Sequence, residues 1–100
     1  MACKIPMIVP RWSALGEWPS GGVHYTSMSH EPMFGLRGLN TEGRPPSLIS
    51  IVESLELLYS NEQYREDIAN AGYNIATLDK FNWHNIADKF NTVFMEVLNG

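Results

Sequence analysis

Apolar residues recur every three or four positions through most of the second half of the chain. Leu48, Ile51, Val52, Leu55, Leu58 and Tyr59 fall on one helical face, which predicts a first helix from about Ser47 to Ser60. Tyr64, Ile68, Ala71 and Ile75 form the stripe of a second helix over 61–78. Asn61 is a good N-cap for it, and Glu62, Glu66 and Asp67 lie near its positive end. Gly72 inside that helix costs about 1 kcal/mol against alanine, so the pattern implies a close approach there. Ile86, Ala87, Phe90, Val93, Phe94 and Val97 predict a third helix that starts at Asn82 or Trp83 and runs to 98. Gly100 suits its C-terminal end.

The first half is patterned differently. Ile5 to Val9 is a near-continuous apolar run with β-branched residues, the signature of a strand buried on both faces of a parallel sheet. Pro6 confines that strand's start to an edge or first position, and Pro10 ends it. Ser13 to Trp18 fits one helical turn with Ser13 as cap. Pro19 to Gly22 is a turn, and Val23 to Thr26 reads as a second strand, adjacent and parallel to the first. Residues 28–46 contain Gly35, Gly38, Gly43 and three prolines and read as a long irregular connection, a loop insertion. The fold class is therefore α/β, with two short parallel strands and three helices. Two short strands do not make an independently stable sheet, and three amphipathic helices need more sheet to cover. The chain is accordingly expected to be the back part of a larger α/β domain.

Composition narrows the function classes. At 100 residues and 44% hydrophobic content the chain is at most one globular domain. No apolar run approaches the roughly 20 residues of a membrane span, and no segment reads as a signal peptide. Cys3 is the single cysteine, which excludes an internal disulfide and fits a cytoplasmic location. Residues 1–50 hold four basic and three acidic residues, whereas residues 51–100 hold three basic and eight acidic. That acidic helical half argues against nucleic acid and anionic membrane as partners of its own surface. Any phosphate-bearing ligand belongs with the first half.

Two stretches carry a resemblance. The first is Met1-Ala2-Cys3-Lys4-Ile5-Pro6-Met7-Ile8-Val9-Pro10, followed by Ser13-Ala14-Leu15-Gly16-Glu17-Trp18. The second runs from Leu58-Tyr59-Ser60-Asn61-Glu62-Gln63-Tyr64-Arg65 through Ala71-Gly72-Tyr73 to Phe81-Asn82-Trp83. In this order they resemble the C-terminal, donor-side domain of GT-B glycosyltransferases of the group 1 type, a Rossmann-like fold that uses nucleotide sugars. In that family a helix ends in a Met-Ala-Cys-Gly phrase, and a strand then delivers a small-residue loop to the crevice of the sheet. The resemblance covers nearly the whole chain except residues 28–46.

The resemblance implies that the parent enzyme takes a nucleotide-sugar donor and needs no other cofactor. It places Arg11, Ser13 and Glu17 on the crevice loop. Lys4 stands where the family has glycine, at a position that closes a helix in the left-handed conformation. The family's donor-binding glutamate pair, its diphosphate-holding basic residues and its acceptor domain all lie upstream of the Met-Ala-Cys phrase and have no counterpart here. The expectation is a fragment of a glycosyltransferase, inactive alone, whose partner is the N-terminal part of the parent enzyme. Met1 then reads as an internal methionine or the boundary of a truncated gene, and self-association follows from uncovered apolar faces.

Plainer readings stand beside these. Glu17 suits a cap or surface role, and Arg11 a solvated loop. His24 sits between Val23 and Tyr25 and reads as structural, while Phe81 and Trp83 read as packing anchors. His30 and Glu31 are adjacent but have no further ligand cluster, so no metal site is expected. Cys3 has no partner that would make it a nucleophile, and no catalytic residue is assigned. The alternative from another class is a self-standing acidic helical module that binds protein through its apolar faces.

Overall fold

The computed structural model describes residues 1–34 and 42–100. Its elements are β1 (Ile8–Pro10), β2 (His24–Thr26), β3 (Met33–Phe34), β4 (Glu42–Gly43), α1 (Leu48–Ser60), α2 (Glu62–Ala76) and α3 (Trp83–Asn99). Two 3-10 turns, Ser13–Gly16 and Asp79–Phe81, complete them. The class is mixed α/β, as the periodicity predicts.

β1 and β2 pair in parallel, with Ile8 opposite His24, Val9 opposite Tyr25 and Pro10 opposite Thr26. The strand expected over Ile5 to Val9 is thus shorter and shifted. Pro6 has no donor to offer, and pairing begins only where the Met7 carbonyl accepts the His24 N–H at 2.9 Å. Pro10 is the last paired residue. The strand is also half-buried rather than buried on both faces, and Ile5 and Met7 are exposed.

The expectation of a loop insertion over 28–46 falls partly on 35–41, outside the described residues. Its described flanks hold β3 and β4, which pair antiparallel with Met33 opposite Gly43 and Phe34 opposite Glu42. A bridge between Met28 and Pro46 extends the arrangement. Among the described residues, Gly43 lies in β4 and Pro46 forms the bridge to Met28.

Helix boundaries follow the caps. Ser47 accepts from the Ser50 N–H at α1, Asn61 from the Tyr64 N–H at α2 and Asn82 from the His84 N–H at α3. Asn61 also closes α1, so one residue serves both helices. Arg65, one turn into α2, donates to the Leu58 and Tyr59 carbonyls at 3.0 and 3.3 Å. These are carbonyls that the end of α1 leaves without helical partners. Arg65→Ala is expected to lower the unfolding free energy by about 1–2 kcal/mol, because it removes two hydrogen bonds from a charged donor, one of them part-buried. Urea denaturation followed by circular dichroism checks this.

α2 is held to the start of the chain by backbone contact. A Cβ on Gly72 would lie 2.7 Å from the Gly22 carbonyl oxygen, and one on Gly22 would lie 2.8 Å from the Gly72 Cα. The close approach that Gly72 implies is therefore against the turn that precedes β2. Met1 packs beside it, and the Lys4 ammonium sits 4.8 Å from the Tyr73 ring centroid. His24 joins β2 to the same helix through a 2.7 Å hydrogen bond between Nδ1 and the Tyr64 hydroxyl.

The interior is small. Val23, Leu58 and Ala69 are the buried apolar residues among those described, with Pro19 the most enclosed side chain. The molecule measures 55 × 40 × 16 Å and has a radius of gyration of 18.1 Å. A chain of this length packed around one core would have about 13 Å. The shortest dimension leaves room for little more than one helix layer, each about 10–12 Å across, against the strands. Leu48, Val52 and Leu55 of the first predicted stripe consequently face solvent, Leu48 with 75% of its surface exposed. α3 buries none of its residues and meets the body chiefly through the 3-10 turn before it. Trp83, expected as a packing anchor, is 82% exposed, whereas Phe81 does pack, edge to face, on Trp18 at 5.7 Å.

Candidate functional site

Parallel strands share one polarity, so β1 and β2 present their carboxyl ends, Pro10 and Thr26, at the same end of the pair. In open α/β sheets this is where ligands bind. A concavity of about 300 Å³ opens there, lined by Arg11, Tyr25, Thr26, Ser27 and Met28. A wider groove of about 560 Å³ continues from Ser27 and Met28 past His30 to Pro45, Pro46 and the first turn of α1. The helix start is tied to the strand end on both sides. Ser47 N–H donates to the Ser27 carbonyl, and Ser27 N–H donates to the Ser50 hydroxyl, each at 2.8 Å.

Arg11 is the one predicted loop residue that reaches this crevice. Its guanidinium lies 3.9 Å from the Tyr25 ring centroid, a cation–π contact worth about 0.5–1 kcal/mol at an exposed site. The stack holds a planar cation at the strand ends, where Arg11 lines the concavity. Tyr25 in turn donates from its hydroxyl to the Leu15 carbonyl at 2.6 Å, which fixes the 3-10 turn beside Arg11. Gly16 faces the Arg11 stem, where a Cβ would lie 3.6 Å from Arg11 Cγ.

Ser13 and Glu17 stand outside the crevice. The expected Ser13 cap does not form: Trp12 occupies the cap position without a side-chain bond, and Ser13 is the first residue of the turn at φ 53°. A left-handed serine is strained by about 1–2 kcal/mol, whereas a cap residue needs the extended backbone that Trp12 has here. Glu17 contributes its backbone N–H to the Ala14 carbonyl, and its carboxylate is exposed.

Tyr25, Ser27 and Met28 are the crevice residues that sequence reasoning missed. Alternation was the available signal: His24 faces α2, so Tyr25 must face the other way, toward the loop after β1. Among the described residues no group of three or more His, Cys, Asp or Glu side chains converges as metal ligands would. His30 and His84 are exposed, and His84 Nε2 lies 3.7 Å from Asp88 Oδ2 along α3. Cys3 is exposed and free. No helix among the described residues is long and apolar enough to cross a membrane.

Lys4 has φ 57° and its N–H returns to the Met1 carbonyl at 3.0 Å, so residues 1–4 form a turn that ends in the left-handed conformation. Compared with protein-family models, with curated proteins and with solved structures, the chain finds no match in any of the three.

Proposed function

We infer that the chain is the donor-side, C-terminal part of a GT-B-type glycosyltransferase that moves a sugar from a nucleotide-sugar donor to an acceptor, and that it is inactive by itself. The observation that carries this reading is the crevice at the carboxyl ends of a parallel β1–β2 pair, directly after the Met-Ala-Cys phrase. The left-handed Lys4 supports it further, because it adopts the backbone that the family's glycine takes at that position. In this reading Arg11, oriented by Tyr25, faces the donor's charged end. In this reading the donor-binding glutamates and the acceptor domain belong to other parts of the parent enzyme.

The DNA upstream of Met1 tests this directly. An open frame that continues upstream through a glutamate pair and an N-terminal domain is the expected result. A stop codon in frame just upstream, with a ribosome-binding signal before Met1, would overturn it. Titration calorimetry gives the companion result. Residues 1–100 are expected to bind common nucleotide sugars no more tightly than millimolar, and micromolar binding would show that the upstream groups are not needed.

A further inference from the structure

α3 carries an apolar seam that the body does not cover. Trp83, Ile86, Phe90, Val93 and Val97 are spaced by 3, 4, 3 and 4 residues, the a/d alternation of a helix that pairs with another helix. Phe90 is 59% exposed and Val97 76% exposed, and none of the helix is buried. Taking Trp83 as position a, the flanking g positions are Lys89 and Glu96, and the e positions are Ala87 and Phe94.

These flanks decide the partner and its direction. In an antiparallel pair, a layers against d, and g residues meet g residues. The register that matches the whole seam sets Trp83 against Gly100 of a second copy, Ile86 against Val97 and Phe90 against Val93. Each layer then joins a larger side chain to a smaller one. The same register brings Lys89 to Glu96 of the second copy, and twofold symmetry makes that pair twice. On the other flank Ala87 leaves room for Phe94. Sliding by a heptad in one direction sets Lys89 against Lys89, and in the other Glu96 against Glu96, so like charges oppose both slips. A parallel pair would face Lys89 with Phe94 and make no charge pair at all.

We propose that α3 is a homotypic association element: two copies of this chain pair through antiparallel α3 helices, with Lys89 of each copy against Glu96 of the other. The assembly is a closed twofold dimer, because each copy offers the same patch to the other. The seam is about two and a half heptads long, which suits a reversible dimer rather than a permanent one. This proposal rests on α3 alone and stands apart from the glycosyltransferase reading.

Sedimentation equilibrium of residues 1–100 in reducing buffer, which keeps the exposed Cys3 from linking copies, tests it. The parent chain is expected to be in monomer–dimer exchange. Lys89→Glu and Glu96→Lys each replace two attractive pairs by two repulsive ones. Each is expected to weaken the dimer about tenfold at low salt, and the double exchange to restore it. Phe90→Asp is expected to give a monomer with an unchanged circular-dichroism melt, since Phe90 is not part of the interior. A monomeric parent, or a dimer that ignores both single exchanges, overturns the proposal. Growth beyond dimers that Phe90→Asp leaves intact overturns it equally.

Discussion

Gly72→Val is expected to abolish the cooperative melt of this protein. The Gly72 Cα side of α2 lies against the Gly22 carbonyl, with 2.7 Å for the first added carbon. That neighbour is backbone, so no side chain can swing aside to make room. Overpacking a site that can adjust costs about 1–3 kcal/mol, and here the helix must lift off the turn instead. Lifting it also breaks the His24–Tyr64 bond that ties β2 to α2. A domain with a total stability of about 5–15 kcal/mol at best does not absorb that loss. Gly22→Ala strikes the same contact from the other side and is expected to do similar harm. Gly21→Ala supplies the contrast: no atom lies within 4 Å of its Cβ, and only its φ of 87° opposes the change. Thermal melts of the three variants check the argument. A parental midpoint for Gly72→Val would mean that α2 does not rest on this turn.

Replacing Leu48, Val52 and Leu55 together by glutamine is expected to suppress binding of the dye ANS several-fold and to raise solubility while helical content stays the same. All three side chains are more than half exposed. Leu55 also borders an open apolar hollow of about 210 Å³ between α1 and β1, lined by Ile8, Val9 and Ile51. Burying one such side chain is worth about 1.5–3 kcal/mol, which the folded chain does not collect at these positions. Their loss therefore leaves its stability nearly unchanged. Contiguous exposed apolar surface of this kind takes up the dye and limits solubility at high concentration, without forming a defined dimer contact. The comparison is best made in the Phe90→Asp background, where α3 no longer contributes. Loss of helical signal in the triple variant would show that the stripe is covered in solution.

The helices were the most legible part of the chain. A stripe repeated every three to four residues and an asparagine at each of two helix starts, Asn61 and Asn82, mark local events that depend little on what lies elsewhere. Strand limits depend on a partner's donors and acceptors. Ile5 to Met7 is apolar enough for a strand, but Pro6 and the single neighbour β2 confine pairing to Ile8–Pro10. Burial was less legible than pattern. The stripe of α1 says that one face is apolar, and only the three-dimensional arrangement says that Leu58 is enclosed while Leu48 is not. The crevice was half legible. Arg11 follows from the strand end, but that Tyr25 rather than His24 faces it depends on where α2 packs, since the Tyr64 hydroxyl takes His24 to the other side. Ser13 was misread because its left-handed backbone is imposed by the turn rather than by its own preference.

The attachment of α3 has a consequence for how substitutions combine. The contacts that fix the body, from Met1 beside Gly72 to Trp18 on Phe81, all involve residues before Asn82, and the seam lies wholly after it. Changes at Gly72 and changes at Phe90, Val93 or Val97, beyond the first turn of α3 that touches Asp79–Phe81, belong to separate sets of contacts, so their free energies are expected to add and association strength to be adjustable without epistasis against folding.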